Sequence, residues 1–254
     1  MLKMNANPLI SIVTPLYNAE AVFEGTFGSV IAQTFKDFEW VIVDDCSTDE
    51  SFALAAKLIE GHPNIRLFQM PHNGGSAKAR NKGLDEAKGK YVTFLDADDV
   101  LDPDYLEKQL AFIKDHGPII SSAYRRKTEQ TCTTFTPPAE TTYKSILKGN
   151  PLSCLSTMYN REVFPEDRFP EDLTRHEDFV FWARLLKKGY KAISNPEVLA
   201  TYRLQSNSKN SDKKKLIKPM VQAYHKGLGI NIITSWFFTA RYVFYSLKKY
   251  KGVH

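Results

Sequence analysis

Four short apolar runs lie in the first ninety-five residues: LISIV (9–13), WVIV (40–43), IRLF (65–68) and YVTFL (91–95). Between them come stretches of helical periodicity. Phe23, Phe27, Val30 and Ile31 share one spacing, weakened by Gly25 and Gly28, and residues 51–60 and 77–87 read as two further helices. Unbroken apolar runs suit strands that are buried on both faces. Helices of about ten residues are the crossovers that join parallel neighbours. The expected class is therefore α/β, with a mainly parallel sheet flanked by helices. In such sheets ligands bind beyond the carboxyl ends of the strands. Residues 14–18, 44–49 and 96–99 occupy those ends, and together they bring polar, acid-rich turns to one edge.

The second half is less regular. Residues 105–116 read as a helix, 119–123 as a strand, 128–142 as an edge hairpin or loop, and 179–188 as a helix stopped by Gly189. Residues 160–175, rich in Pro and charge, read as a long functional loop. No internal repeat is visible. Charge is divided unevenly: residues 203–254 hold eleven Lys and Arg against the single acid Asp212, so the +5 total splits into a −5 body and a +10 tail. Three cysteines without CxxC spacing argue against a disulfide framework or a structural zinc site and fit a reduced compartment. The N-terminus lacks the apolar core of a secretory leader. The longest uncharged apolar-rich stretch near the end, residues 227–240, is shorter than the roughly 18–20 residues a membrane span needs.

Each strand-end motif has a plain reading beside a chemical one. Asp96 and Asp98, one residue apart, repel unless a cation neutralises them, which suits a hard divalent ion shared with phosphates. Asp102 would then cap the helix after Pro103. The run DDCSTD (44–49) offers carboxylates to a base or ribose, or ordinary turn chemistry. The segment NGGSAKARN (73–81) is a glycine turn opening a helix, with free N–H groups and Arg80 available to a diphosphate. It is neither a P-loop nor a GxGxxG fingerprint. Glu177 and Asp178, ahead of an apolar helix, are either dipole partners or a general base at the cleft.

Five ordered blocks, ISIVTPLYN (10–18), QTFKDFEWVIVDDCSTD (33–49), NGGSAKARNKG (73–83), YVTFLDADD (91–99) and HEDFVFWARLLKKG (176–189), together resemble the family 2 inverting glycosyltransferases of bacterial surface-polysaccharide type. The resemblance spans residues 8–205 and implies a GT-A fold and a UDP-sugar donor. By position it implies Tyr17 stacked near uracil with Pro15 shaping the strand end, and Asp45 on the base. It also implies Asp96 at the ribose or a metal-bound water, Asp98 on Mn²⁺ or Mg²⁺, and Arg80 at the diphosphate or as local support. Asp178 aligns with the catalytic base, with Glu177 as runner-up. Many relatives carry a histidine where this chain has Gln205, so at that position the resemblance supplies no third protein ligand for the metal.

The expected organisation is a catalytic domain over residues 1–205 and a basic, amphipathic helical extension over residues 206–254. In the extension Asn231, Ser235, Thr239, Ser246 and Lys249 form a polar stripe. Ile232, Ile233, Trp236, Phe237, Val243, Phe244 and Leu247 fill the wide apolar remainder. Lysine clusters at both ends fit an anionic membrane surface; docking on the catalytic domain or on a second copy as a homodimer is the competing expectation. No nucleic-acid-binding fold accompanies the basic tail. The expected activity is sugar transfer to a glycan or lipid-linked glycan at the inner face of the cytoplasmic membrane. A sugar nucleotidyltransferase and a non-catalytic membrane-bound nucleotide-binding adaptor are the alternatives.

Overall fold

The apolar runs become adjacent parallel strands. In the computed structural model, residues 7–204 and 217–250 are described, with 243–250 known by their helical backbone. Strands β1 (Ile10–Leu16), β2 (Phe38–Asp44), β3 (Ile65–Gln69) and β4 (Tyr91–Phe94) pair in the order β3-β2-β1-β4, all parallel. Every residue of β2 and β4 is buried, as a sheet covered on both sides demands. The crossovers are α1 (Phe23–Ile31), α2 (Ser51–Leu58) and α3 (Ser76–Glu86). Several polar groups between the first strands are paired: Ser11 donates to Glu39 at 2.7 Å, Arg66 bridges to the same carboxylate at 2.7 Å, and Trp40 donates to Thr14 at 2.8 Å.

The sheet continues through β5 (Val100–Leu101), β6 (Ile119–Lys127), β7 (Cys132–Phe135), β8 (Glu140–Thr141), β9 (Thr157–Asn160) and β10 (Ala192–Arg203). β9 lies antiparallel between β4 and β6, β10 runs parallel to β6, and β5, β7 and β8 pair antiparallel at the margins. The stretch at 128–142 therefore supplies short edge strands. Helix α4 (Tyr105–His116) matches its expected span, and α6 (Glu177–Lys187) starts two residues early, taking both acids into its first turn. Asp102 does not cap α4: its side chain pairs with Arg125 at 2.9 Å, and the residue preceding the helix, Asp104, makes no side-chain cap either.

Helix α3 lies close against β1 because Gly83 permits it. A Cβ there would sit 2.3 Å from Val13 Cγ1, so a side chain at 83 would push away the helix that carries Arg80. Behind the strand ends, Phe94, Tyr159, Phe169, Phe181 and Trp182 interlock, with Phe169 stacked on Phe181 at 4.2 Å. Each buried ring of this kind is worth roughly 3–5 kcal/mol against truncation to Ala. A short helix α5 (Tyr143–Ile146) precedes β9.

After residue 216 the chain forms α7 (Ile217–Gln222), a π-helical turn over Ala223–Gly227, and the long α8 (Ile232–Tyr250). This segment packs on α6. Phe179 meets Tyr224 ring to ring at 5.2 Å, the Tyr224 hydroxyl donates to Leu147 O at 2.8 Å, and Arg184 donates to Gly227 O at 3.0 Å. Among the described residues no helix is long and apolar enough to cross a membrane. Gln205, Lys209 and Lys213–Lys215 lie outside the described residues, as do the side chains of Val243, Phe244, Ser246, Leu247 and Lys249.

Candidate functional site

The carboxyl ends of β1, β2 and β4 deliver three loops to one edge, and hydrogen bonds tie the first two together. Asp45 N donates to Leu16 O at 2.8 Å, Asn18 N to Ser47 Oγ at 3.1 Å, and Thr48 N to Asn18 Oδ1 at 2.9 Å. Asn18 and Cys46 both adopt the left-handed conformation, with φ of 47° and 61°, which lets each loop leave its strand abruptly. Such backbone outliers in non-glycine residues concentrate at functional sites. Pro15 is half-buried at the end of β1, and Tyr17, one residue beyond it, is exposed. The ring of Tyr17 is thus available to a planar ligand.

Asp45 is buried and its two oxygens accept from the backbone N–H groups of Gly74 and Gly75, both at 2.7 Å. The glycine turn therefore does not present those two N–H groups freely; the carboxylate of the neighbouring strand end has taken them. Asn73 reinforces the link by donating to Asp45 O at 3.1 Å. Asp44, also buried, accepts from Ser47 Oγ at 2.5 Å and Gln69 at 3.0 Å. The first acidic pair thus shapes the floor of the cleft.

Arg80 is the hub. Its guanidinium is buried, donating to Asp96 Oδ1 at 2.6 Å and to Glu177 Oε1 at 3.1 Å, and lies 5.5 Å from the centre of the Phe169 ring. Burial opposes its charge, but the carboxylates of Asp96 and Glu177 more than restore it, so it stays cationic. Ser76 Oγ also donates to Glu177, at 2.7 Å, so α3 grips the start of α6 through two side chains. Strand-end acid and helix-start acid, 81 positions apart in sequence, share one cation.

Asp178 follows Glu177 in the first turn of α6, after His176 turns the chain in the left-handed conformation at φ 64°. Burial, and then the neighbouring Glu177 charge, push the Asp178 carboxyl up to about 6. Asn150 donates to its Oδ2 at 3.1 Å. Near Asp96 the remaining acids are crowded: burial first, then Asp96, raise Asp98, and the same forces raise the fully buried Asp99 further. Asp99 Oδ1 accepts from Arg203 N at 3.0 Å. Thr26 Oγ1 lies 2.9 Å from Ala97 O and 2.8 Å from Asp99 O, pinning this loop to α1.

A divalent cation fits this donor set. Asp98, with Asp96 beside it, forms a crowded pair of hard oxygen ligands whose repulsion a 2+ ion relieves. No group of three or more candidate ligand side chains occurs among the described residues. Mg²⁺ and Mn²⁺ are commonly held by one or two carboxylates, with substrate phosphates and water filling the other positions.

Asn150, Asn81, Ser76 and Thr26 went unsingled in the sequence, because each acts through a partner far along the chain. Asn81 holds the long loop by accepting from Phe169 N at 2.8 Å and donating to Phe169 O at 2.9 Å. Thr26, Ser76 and Asn81 lie in helices and Asn150 in a Gly-Asn-Pro loop, ordinary settings for short polar side chains.

Residues 11–188 match the family model described as Glycosyl transferase family 2. TuaG of Bacillus subtilis, a glycosyltransferase named for teichuronic acid biosynthesis, is 38% identical over 218 residues, covering 84% of this chain and 86% of its own. WfgD of Escherichia coli, a UDP-Glc:alpha-D-GlcNAc-diphosphoundecaprenol beta-1,3-glucosyltransferase, is 30% identical over 214 residues, covering 83% of each chain. In fold, the chain resembles Staphylococcus aureus TarS 1-349 in complex with UDP-GlcNAc. The TM-score is 0.72 at 22% identity, over 92% of this chain and 71% of that one. It also resembles the mannosyltransferase PcManGT of Pyrobaculum calidifontis in complex with GDP-Man and Mn²⁺, with a TM-score of 0.70 at 18% identity, over 98% and 76%. With an α/β fold shared with GT-A enzymes and a family match over residues 11–188, the chain belongs to glycosyl transferase family 2.

Proposed function

We propose that this protein is an inverting glycosyltransferase that moves a sugar from a UDP-sugar to a glycan or lipid-linked glycan acceptor at the inner face of the cytoplasmic membrane. One observation carries the reading. A carboxylate raised to about 6, Asp178, is joined through Glu177 and Arg80 to the Asp96–Asp98 pair at the edge where a nucleotide sugar would lie. The relatives' names support the donor class and the kind of acceptor.

The base of the donor lies against Tyr17 beyond Pro15, on a floor braced by Asp45. Asp96 faces the ribose and shares Arg80 with Glu177. Asp98, with Asp96, would hold Mn²⁺ or Mg²⁺, which when bound supplies positive charge to the diphosphate as it departs. Asp178 accepts the proton of an acceptor hydroxyl while that oxygen bonds to the anomeric carbon. The bond from the anomeric carbon to the diphosphate breaks on the opposite side, and its electron pair leaves with UDP. A single displacement of this kind inverts configuration. Raising Asp178 above an ordinary carboxylate near 3.9 makes it a stronger base while leaving it ionised at neutral pH.

The test is UDP release from a panel of UDP-sugars, with and without a lipid-linked acceptor, before and after chelation of divalent metal. The reading expects acceptor-dependent release that chelator stops and Mn²⁺ restores, and loss of transfer in Asp178→Asn. No release with any donor would leave a non-catalytic nucleotide-binding protein as the better account.

A further inference from the structure

Helix α8 is amphipathic in the reverse sense. Ser235 and Thr239 are buried, at 0% and 1% exposure, while Ile233 is 80%, Phe237 62% and Trp236 54% exposed, with Ile232 outward beside them. At 100° per residue, Ile232, Ile233, Trp236 and Phe237 span an arc of about 140°, with Ser235, Phe238, Thr239 and Tyr242 on the opposite side. An ordinary surface helix turns its apolar stripe inward. Here the inward hydroxyls satisfy themselves on their own helix. Ser235 Oγ donates to Asn231 O at 2.9 Å, and Thr239 Oγ1 to Ser235 O at 2.8 Å. Phe238 and Tyr242 supply the rest of the inner contact, Phe238 against Tyr224 at 5.5 Å and Tyr242 against His176 at 6.3 Å. The helix is therefore docked on the catalytic body already, and its bulkiest apolar side chains remain outside.

We infer that this outward face of α8 is the surface by which the enzyme lies on an anionic phospholipid bilayer, beside its catalytic edge. Charge selects the occupant. Residues 203–254 carry eleven basic residues and one acid, and Lys218, His225 and Lys226 are exposed in the segment leading into the helix. Apolar side chains entering the acyl boundary while lysines meet lipid phosphates is the arrangement of an interfacial helix. The ring contact fixes where the helix lies: on its inner side Tyr242 meets His176, two residues before Asp178, so the outward face of α8 lies beside the proposed catalytic loop. The inference rests on the proposed lipid-linked acceptor for its purpose, but its test needs neither donor nor acceptor.

Trp236 is the natural reporter, because Trp40 and Trp182, the other two tryptophans, are fully buried. The full chain is mixed with vesicles of phosphatidylcholine containing about 30% phosphatidylglycerol, and with pure phosphatidylcholine vesicles. Expected are flotation with the anionic vesicles, a blue shift of tryptophan emission that is lost in Trp236→Phe, and weakening by salt. The double variant Ile233→Glu, Trp236→Glu should bind at least about tenfold more weakly, with unchanged far-ultraviolet dichroism and unchanged UDP release from the best soluble donor. Flotation of the double variant equal to wild type overturns the inference, as does absence of flotation by wild type. A concentration-dependent dimer in sedimentation that the double variant abolishes, without vesicle binding, would assign the face to a second copy instead and equally overturn it. Failure of UDP release with intact flotation would count against the proposed activity alone.

Discussion

Asn150 donates from Nδ2 to Oδ2 of Asp178 over 3.1 Å, reaching from the loop before β9 to the first turn of α6. The amide fixes the rotation of the proposed base and stabilises its ionised form. Asn150→Ala should lower kcat about tenfold, leave the donor KM within about twofold, and move the acid limb of the kcat profile to higher pH. A fall in kcat with an unmoved acid limb would reduce Asn150 to a packing role.

Transfer should follow the ionisation of Asp178. Its carboxyl is pushed up to about 6 by burial and by Glu177, and a carboxylate accepts a proton only when ionised. The rate of transfer under saturating substrates should rise from pH 5 to pH 7 with a midpoint near 6. Asp178→Asn should lose about 10²–10⁴ in kcat and show no such limb.

The same shift destabilises the fold above that midpoint. The folded-state value lies above the unfolded one, near 3.8, so the folded chain binds a proton that the unfolded chain releases between those values. The penalty is absent below about pH 4, grows as pH rises, and is complete above about 6–7. Asp178→Asn should therefore be more stable than wild type by about 1–2 kcal/mol at pH 7.5, with the difference shrinking toward pH 4. Thermal unfolding at the two pH values measures it, and an equal gain at both would show that ionisation is not the cause.

Arg80 holds two carboxylates that would otherwise repel. Arg80→Ala should cost about 3 kcal/mol of stability, because it strands Asp96 and Glu177 without their cation. Arg80→Lys keeps the charge but cannot fork to both acids, so it should recover most of the stability and little of the activity. Denaturant unfolding beside kcat/KM separates the two effects; parallel recovery of both would mean that charge alone matters.

Much of this was legible in the chain. β1, β2 and β4 lie within two or three residues of their apolar runs because strands buried on both faces cannot hide their composition. β10 was not legible: Asn195, Pro196 and Glu197 interrupt it, and the ladder to β6 shifts register there, so a bulge breaks the pattern. The acids of the site announced themselves at strand ends. Their partners did not, because Ser76 and Glu177 are 101 positions apart and meet only once α3 and α6 are packed. On α8 the periodicity separated two stripes but not which one faces inward, since hydroxyls that bond their own helix are as buriable as alanines.

Gly25 reads in the sequence as a defect of α1, and replacing a mid-helix glycine by alanine ordinarily gains about 1 kcal/mol. In the folded chain a Cβ at that position would lie 2.7 Å from Arg203 Nη2 and 2.9 Å from Nη1. Arg203 lowers the repulsion felt by Asp98 and Asp99 at the crowded loop. An engineer strengthening this helix would therefore displace a cation from the acid-rich loop, and a more robust helix would come with a more repulsive Asp98–Asp99 pair.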